Sequence, residues 1–500
     1  MEARFGTDGV RGVANSELTP ELALALGRAA ARVIRAERFL IGRDTRRSGT
    51  MLQAATSAGL ASEGADVVDL GVLPTPGVAW ASSHHNLPGV VVSASHNPFH
   101  DNGVKLISPG GLKLEDEVER AIERELDDLL AGEGDSRARP SGDGVGRLLS
   151  DLEAGEGYMD HLISALEHRR IDGMRVVLDV ANGASAAIAP RVLSRAGAEV
   201  TLLAGEPNGS NINDRCGSTF PENVAEAVVA AGAELGLALD GDADRLVAVD
   251  HLGRVVDGDV LLAMFAVDMA ERGRLAGNAI AVTVMSNLGL HRAMSARGIQ
   301  VRQTPVGDRH VLKALAQDGL VLGGEQSGHL VFRHLATTGD GILTALLLCD
   351  LVRRSGLSLA DLAGPAMVRF PQHLASVTVD HPDRLDSAEA IWAEVASVEA
   401  ELAGSGRVLL RASGTEPVVR VMVEAQSEDE ARSHVERLCS VVCDSLGRQS
   451  ADSGSSGSLG RQSAHSGKAS ESAGSMDGAE AGNQVAADPS AGFSRATAIQ

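Results

Sequence analysis

Strand-like and helix-like segments alternate through residues 1–150, and this alternation constrains the fold more than any other feature of the sequence. The Ala/Leu-rich residues 19–36 predict a helix with Thr19 as its N-cap. Residues 38–41 then predict a strand, and a second helix and a second strand, at residues 66–70, follow. Residues 74–76, Pro-Thr-Pro, predict a rigid turn after that strand. Strands that alternate with helices form a mostly parallel sheet with helices on both faces. We therefore expect an α/β fold.

Further units of this kind follow along the chain. A Gly/Ser-rich stretch at residues 132–146 separates the first unit from a second, and a third begins near Gly258. In the second unit, residues 174–180 predict a strand and residues 182–185 the start of a helix. The last unit, from about Met367, contains a strand, an acidic helical stretch and a loop between two strands. The sequence predicts three successive α/β domains with mixed, mostly parallel sheets and a smaller C-terminal α+β domain. The predicted boundaries are 1–150, 151–252, 253–366 and 367–446, with a tail at 447–500.

The composition narrows the range of partners. A formal net charge of -22 argues against a nucleic-acid groove or an anionic membrane surface, because both are themselves negatively charged. A phosphate site in so acidic a chain must therefore be local. Hydrophobic residues make up 44% of the chain and aromatic residues only 2%, which predicts large cores built from Ala, Val and Leu.

A cytoplasmic location is the expectation from three features. The first residues, MEARFGTDGVRG, have no charged region leading into an apolar stretch, so we expect no signal peptide. No apolar run approaches ~18 residues, so we expect no membrane span. The four cysteines form no CxxC pair, and reduced thiols are the favoured interpretation.

The tail beyond Gly447 is rich in Ser, Gly and Ala and contains SLGRQSA twice, at residues 445–451 and 458–464. It lacks the apolar content that a core needs. We expect it to be disordered.

A polar loop follows a buried strand in residues 89–107, which read GVVVSASHNPFHDNGVKLI. It presents Ser93 and Ser95, and Lys105 lies on the strand that returns. The carboxyl end of a buried parallel strand is where α/β proteins place reacting groups. A serine hydroxyl needs a base or a metal to become a good nucleophile, and a nearby lysine could transfer protons. An ordinary turn is the alternative, and the loops downstream make it the weaker one.

A second loop, DGDADR, follows the buried strand at residues 235–239. Asp240, Asp242 and Asp244 stand at alternate positions, so their carboxylates can converge on one hard cation, and oxygen ligands favour Mg²⁺. A calcium loop would need a terminal glutamate at ligand spacing, and a strand stands there instead. A solvated acidic turn is the remaining alternative.

The third loop, GGEQSGH, offers Glu325 and Ser327 as hydrogen-bonding groups suited to sugar hydroxyls or an amine. His329 ends the loop, and a structural and a catalytic role are equally open for it at this point.

The fourth loop, RASGTEP, combines two arginines with hydroxyls and a glycine that exposes its backbone amide. A phosphate could be held by such a set, although Ser/Gly/Thr loops are also common in hairpins. The residues concerned are Arg411, Ser413, Gly414, Thr415 and Arg420. Together the four loops supply a nucleophile, a cation site, a polyol site and a phosphate site, which is what an enzyme that moves phosphoryl groups on a sugar requires.

These loops resemble the α-D-phosphohexomutase superfamily, and the resemblance covers residues 4–443. The motifs that carry it are FGTDGVRG (5–12), SASHNP (93–98), DGDADR (240–245), GEQSGH (324–329) and RASGTEP (411–417). Several ordered motifs at these spacings are far more specific than a single glycine-rich loop. The resemblance implies four domains around one central cleft and a sugar bisphosphate as reaction intermediate and activator.

The resemblance also implies a role for each site residue. Ser95 would be modified to a phosphoserine and carry the phosphoryl group. One Mg²⁺ per chain would be held by Asp240, Asp242 and Asp244 together with an oxygen of the Ser95 phosphoserine. Arg11 and Arg245 would lie against the phosphate, and Lys105 and His329 would transfer protons. The residues that would bind substrate are Arg245, Glu325, Ser327, Arg411, Ser413, Gly414, Thr415 and Arg420.

Within the superfamily the sequence is most similar to the bacterial branch that interconverts glucosamine 6-phosphate and glucosamine 1-phosphate and so supplies UDP-N-acetylglucosamine synthesis. GEQSGH, SGTEP and PNGSNINDRCGSTFPE (207–222) carry this similarity, and Phe220 departs from the histidine of many relatives. The implied partner is a phosphorylated amino sugar, and a homodimer is expected. The alternatives are a phosphomannomutase or phosphoglucomutase, a Mg²⁺-dependent sugar phosphatase, and a sugar-phosphate-binding protein without activity.

Overall fold

The computed structural model describes residues 9–132, 138–413 and 417–447. The predicted disorder of the tail beyond Gly447 lies outside these residues, and so do Gly414 and Thr415 of the fourth loop. Within the described ranges, no helix has both the length and the apolar content that crossing a membrane requires.

The first sheet has six strands in the order β1-β5-β4-β2-β3-β6. Its strands are β1 (Val10–Val13), β2 (Arg38–Arg43), β3 (Asp66–Val72), β4 (Gly89–Val92), β5 (Asp101–Ile107) and β6 (Leu148–Ser150). The helices around it are α1 (Pro20–Ile34), α2 (Gly49–Ser62), α3 (Thr75–His85) and α4 (Asp116–Leu130). Strands β4, β2, β3 and β6 are parallel, whereas β5 is antiparallel to both β4 and β1.

The N-cap of α1 and the start of α3 test two of the local signals in this unit. Thr19 caps α1 as predicted, because its Oγ1 accepts the Leu22 amide proton at 3.3 Å. The Pro74–Pro76 segment, which the sequence predicts as a rigid turn, instead begins α3. Proline is tolerated in the first turn of a helix because its missing N–H would be unpaired there, so that prediction was wrong.

The second sheet has the order β11-β10-β9-β7-β8. Its strands are β7 (Arg175–Asp179), β8 (Glu199–Leu203), β9 (Leu235–Leu239), β10 (Leu246–Asp250) and β11 (Val255–Val256). The helices of this part are α5 (Ala154–Ser164), α6 (Ala189–Ala196) and α7 (Glu222–Ala231). The helix predicted to open at residues 182–185 begins only at Ala189, because Ala181 and Asn182 both have left-handed backbone conformations that no helix continues.

The third sheet has the order β13-β12-β14-β15. Its strands are β12 (Ala279–Thr283), β13 (Gln300–Thr304), β14 (Leu322–Gly324) and β15 (Leu330–Phe332). The helices of this part are α8 (Gly258–Glu271), α9 (Leu288–Ala296), α10 (Asp308–Gln317), α11 (Gly341–Ser355) and α12 (Leu359–Ala363).

The three sheets repeat one topology. In each, two β-α units lead into a third parallel strand (β4, β9 or β14), which is followed at once by an antiparallel neighbour (β5, β10 or β15). The first, second and third predicted loops are the connections within these three strand pairs. Corresponding positions of a repeated fold therefore present the three loops, each at the carboxyl end of a buried parallel strand.

The last part of the chain is a smaller α+β unit, as predicted. Its three strands are antiparallel throughout, in the order β16-β18-β17. The elements are β16 (Gln372–Thr378), α13 (Glu389–Leu402), β17 (Arg407–Ala412), β18 (Val418–Glu424) and α14 (Glu428–Leu446). Val421 of the sheet and Leu438 of α14 belong to a core of its own.

One core cluster runs through the three α/β units. Val91 of β4, Leu178 of β7 and Leu322 of β14 all belong to it, and each is completely buried or nearly so. A close-packed interior resists displacement of its parts, so this shared core holds the three loops in a fixed relation.

A buried polar junction joins the C-terminal unit to the third sheet. Glu424, which is fully buried, pairs with Arg407 (Nε to Oε2, 2.7 Å) and accepts the Leu288 amide proton at 2.9 Å. The Asn287 side chain also donates to Glu424, at 3.2 Å, and the Asn287 amide donates to Asp259 Oδ2 at 2.8 Å. Burial, with the charge of Asp257, raises the pKa of Asp259 to about 7.

We expect the substitution Asp259→Asn to change how stability depends on pH. The raised pKa means that the folded protein holds a proton that the unfolded chain has lost, so this stabilising contribution is present at low pH and is lost as the pH rises to about 7. The unfolding midpoint of Asp259→Asn relative to wild type should rise by on the order of 5 °C between pH 5 and pH 8. Thermal unfolding followed at both pH values measures this, with the exposed Asp318→Asn as control; identical pH profiles for Asp259→Asn and wild type would contradict it.

Candidate active site

The loop between β4 and β5 presents Ser95 to the second domain. Ser95 is almost fully buried, and its Oγ donates to Asp240 Oδ2 at 2.7 Å. Its φ of 51° is left-handed, a conformation that costs a non-glycine residue about 1 kcal/mol or more and persists only where neighbouring contacts hold it. The predicted nucleophile and one predicted metal ligand are therefore in direct contact.

Ser93, the other serine of this loop, has a different environment. Its Oγ donates to Asp44 Oδ2 at 2.6 Å and accepts the Ser95 amide proton at 3.0 Å. Both hydrogen bonds lie within the fold and shape the loop. This arrangement favours Ser95 over Ser93 as the nucleophile.

The three aspartates of the second loop converge as predicted. Oxygens of Asp240, Asp242 and Asp244 lie within 4.8 Å of one another, and all three side chains are buried. Gly241 permits this convergence, because a Cβ there would lie 2.6 Å from the carbonyl oxygen of Ser95. The glycine thus allows the cation loop and the serine loop to approach each other.

The three buried carboxylates of the triad repel one another, so a nearby positive charge would stabilise their ionised forms. Burial and the neighbouring carboxylates raise the pKa of Asp240 well above its usual range, and burial together with Asp242 also raises the pKa of Asp244. Lys105 supplies part of the compensation, with Nζ 2.9 Å from Asp242 Oδ2 and 4.0 Å from Asp244 Oδ2. Three convergent oxygen ligands with this charge deficit fit a hard divalent cation.

Thr75, at the start of α3, was missed in the sequence. Its Oγ1 donates to Asp242 Oδ2 at 2.6 Å and its amide donates to the Asp242 carbonyl at 3.0 Å. It thereby fixes the orientation of a predicted metal ligand from another domain. Because residues 74–76 were predicted as a rigid turn, Thr75 was not considered as a site residue.

His96, next to the nucleophile, is held in its neutral form. Burial and the positive charges of Arg245 and Arg11 lower the pKa of His96 to about 4. The two arginines predicted to lie against a phosphate thus act on the same ring beside Ser95. Arg245 also donates its amide proton to Asp240 Oδ1 at 3.2 Å. The imidazole beside Ser95 therefore adds no positive charge to the site.

The third loop reaches the second through its backbone. The Leu246 amide, just after the triad, donates to the Gly328 carbonyl at 3.0 Å. Glu325 accepts the Gly307 amide proton at 3.2 Å, and the exposed Ser327 hydroxyl lies 3.5 Å from Glu325 Oε2. Both side chains stay accessible to a ligand, as the prediction of sugar-hydroxyl contacts requires.

His329 is buried beneath the same loop. A Cβ on Gly339 would lie 2.4 to 2.6 Å from atoms of the His329 ring, so only glycine fits against its face. The nearest carboxylate oxygen to its Nε2 is Asp308 Oδ2 at 3.7 Å, beyond hydrogen-bond distance. Among the residues that the structure describes, neither ring nitrogen has a hydrogen-bond partner.

The fourth loop contributes two arginines. Arg411 of β17 and Arg420 of β18 are directly opposite in the antiparallel pair. Burial and the charge of Arg420 lower the pKa of Arg411. Like charges placed opposite each other destabilise a sheet, and an anion bound between them would remove that cost. Ser413 follows, with its amide bonded to the Val418 carbonyl at 2.8 Å.

A cavity lies beside the triad and is bounded by all three α/β units. Thr75 and Lys105 line it from the first unit, Asp244 from the second, and Asp308 and Thr338 from the third. Direct contacts join Ser95, Lys105 and the triad, whereas the two arginines are placed by the C-terminal unit. The three α/β units thus meet at this cavity, and the placement of Arg411 and Arg420 at the same cleft stays a prediction.

Family models for phosphoglucomutase/phosphomannomutase match nearly the whole described chain. Alpha/beta/alpha domains I, II and III match residues 2–131, 156–253 and 257–370, and the C-terminal domain matches residues 374–441. A solved structure of N-acetylphosphoglucosamine mutase from Aspergillus fumigatus, in complex with GlcNAc-6P and magnesium, has the same fold, with a TM-score of 0.63 at 19% identity over 89% of this chain and 96% of that one. The fold and the site thus define a phosphohexomutase.

Curated relatives specify the branch. A phosphoglucosamine mutase from Mycolicibacterium smegmatis is 52% identical over 457 residues, which cover 88% of this chain and 99% of the relative. One from Desulforamulus reducens is 49% identical over 448 residues, again 88% and 99%. The chain belongs to the phosphoglucomutase/phosphomannomutase family and, within it, to the phosphoglucosamine mutases, which are isomerases.

Proposed function

We propose that the chain interconverts glucosamine 6-phosphate and glucosamine 1-phosphate through a phosphoserine at Ser95. The observation that carries this proposal is the contact between the Ser95 hydroxyl and Asp240, 2.7 Å long, inside a buried carboxylate triad that Lys105 adjoins. The names of the relatives support the choice of substrate.

Phosphoryl transfer proceeds in two halves. The Ser95 Oγ–phosphorus bond breaks while a bond forms from phosphorus to the free hydroxyl of the sugar. Lys105 Nζ accepts the proton of that hydroxyl and passes it to Ser95 Oγ. The product is a sugar bisphosphate, and Ser95 Oγ returns to a hydroxyl. The bisphosphate then turns over in the cleft and gives its other phosphoryl group back to Ser95. His329, whose ring nitrogens have no hydrogen-bond partner among the described residues, is assigned to exchange a proton with the sugar in this proposal.

The triad is suited to a magnesium ion. Asp240, Asp242 and Asp244 would hold it together with an oxygen of the phosphoserine, and their convergence and charge deficit fit such an ion. When bound, Mg²⁺ neutralises negative charge on the transferring phosphoryl group.

The remaining residues bind and orient the substrate. Arg411, Arg420 and Ser413 hold the phosphate that does not react, and Gly414 and Thr415 of the same loop are assigned to that role as well. Glu325 and Ser327 contact sugar hydroxyls or the amine, while Arg11 and Arg245 lie against the transferring phosphate.

A panel of sugar phosphates tests this function. We expect kcat/KM on glucosamine 6-phosphate to exceed that on glucose 1-phosphate or mannose 1-phosphate by at least about tenfold, because a site that pairs with an amine leaves a polar group unpaired when the amine is missing. Coupled assays of isomer formation and of phosphate release measure it. Faster turnover of mannose or glucose phosphates would support the other mutase branches, and phosphate release without isomerisation would support a phosphatase.

The homodimer, the cytoplasmic location and the domain boundaries at 150/151, 252/253 and 366/367 remain predictions, as do the roles of the site residues and the sugar bisphosphate. The end of β6 at Ser150 and the start of α5 at Ala154 support the first boundary.

A further inference from the structure

Arg46 lies completely buried behind the nucleophile loop. Its Nη2 donates to the carbonyl oxygens of Ser95 at 2.9 Å and Asn97 at 2.8 Å. Its Nη1 donates to the carbonyls of Pro98 and Asp101, the latter at 3.1 Å. One guanidinium therefore binds four backbone carbonyls of the segment that carries the nucleophile, without touching the reacting atoms.

Asp44, also in the first domain, binds both Arg46 and Ser93. Its Oδ2 accepts from Arg46 Nε at 2.9 Å, which balances the buried charge, and from Ser93 Oγ at 2.6 Å. Because Ser93 in turn accepts the Ser95 amide proton, hydrogen bonds hold Ser95 at both its amide and its carbonyl. This double attachment accounts for the persistence of its left-handed conformation.

Asn213 holds the same carbonyls from the second domain. Its Nδ2 lies 2.9 Å from the Ser95 carbonyl oxygen and 3.0 Å from that of Asn97. Two further contacts fasten the turn around Arg46 to the second domain: Arg47 N to the Gly209 carbonyl at 2.8 Å, and Thr45 Oγ1 to the Asn182 carbonyl at 2.6 Å.

We propose that Arg46 and Asn213 are positioning residues that align the nucleophile of the first domain with the triad of the second; this inference rests on the proposed function. They share the Ser95 and Asn97 carbonyls but come from different domains, so together they fix the distance across the domain boundary. Phosphoryl transfer depends almost entirely on placement and electrostatics, and a misplacement of about 1 Å can cost about a hundredfold in rate.

The substitution Asn213→Ala tests the proposal, with Asn211→Ala as its matched control. Asn211 lies in the same segment and makes its side-chain hydrogen bonds to Asn208 and Glu206, away from the nucleophile loop. We expect Asn213→Ala to lower kcat about 10- to 100-fold, to leave KM for glucosamine 1-phosphate within about threefold, and to release more phosphate per isomerisation. Arg46→Lys keeps the positive charge but loses the planar set of N–H donors of the guanidinium. We expect it to change kcat, KM and phosphate release in the same way.

Hydrogen exchange provides a readout that does not depend on activity. We expect the amides of residues 93–102 to exchange faster in Asn213→Ala and at the wild-type rate in Asn211→Ala. Folded Asn213→Ala and Arg46→Lys proteins with wild-type kcat and wild-type exchange would overturn the inference, as would a kcat loss equal to that of Asn211→Ala. A wild-type protein that isomerises no sugar phosphate would instead overturn the proposed function.

Discussion

We expect Ser95→Ala to abolish isomerisation, with a fall in turnover of at least about 10⁴-fold. The hydroxyl removed carries the phosphoryl group before the first half-reaction and accepts one again in the second, so neither half-reaction can proceed without it. Its loss removes the 2.7 Å hydrogen bond to Asp240 and the 3.4 Å contact with His96 Nδ1. The Ser95 backbone stays held by Ser93, Arg46 and Asn213. The fold should therefore be retained.

Intact-mass measurement and a sugar-phosphate assay check this prediction together. Wild-type protein treated with a sugar bisphosphate should gain the mass of one phosphoryl group, and Ser95→Ala should gain none. Ser62→Ala is the control, because the Ser62 hydroxyl donates a hydrogen bond to the Gly59 carbonyl within α2, at 2.8 Å. Near-normal turnover by Ser95→Ala, or a phosphoryl group retained at another residue, would refute the mechanism.

Sequence patterns predicted the chemistry of the site because each loop stands next to a strand that determines its place. Ser95, the Asp240 triad and Glu325 each follow a buried parallel strand, and the repeated topology brings such strand ends to corresponding positions. The hydrophobic pattern locates the strands, and α/β proteins place reacting groups at the carboxyl ends of such strands. These two facts were sufficient to locate the three loops.

The residues that connect the loops could not be predicted in this way. Thr75 binds Asp242 across 167 positions of sequence, and Asn213 binds Ser95 across 118. Such contacts depend on how whole domains pack. Arg46 carried a weak signal, since GRDTRRSG stands at the carboxyl end of β2, but a charged turn is ordinarily solvated and nothing local indicates that this guanidinium is buried.

Removal of magnesium, or of one ligand, should have the second-largest effect. We expect chelation to lower wild-type turnover about 10³-fold, with recovery on addition of Mg²⁺, because the ion supplies several kcal/mol of charge stabilisation. Asp242→Asn keeps an acceptor for Thr75 and removes one charge of the triad. We expect a comparable loss that added Mg²⁺ restores only in part.

Thermal unfolding separates metal binding from catalysis in this experiment. A ligand that binds the folded state raises the unfolding midpoint, so Mg²⁺ should stabilise wild-type protein and have little effect on Asp242→Asn. Asp250→Asn is the matched control, because that buried carboxylate stands at the far end of β10 and pairs with Arg254 at 2.7 Å. If Mg²⁺ stabilised Asp242→Asn as strongly as wild type and Asp250→Asn, the triad would not be the site of the ion, whatever the effect on turnover.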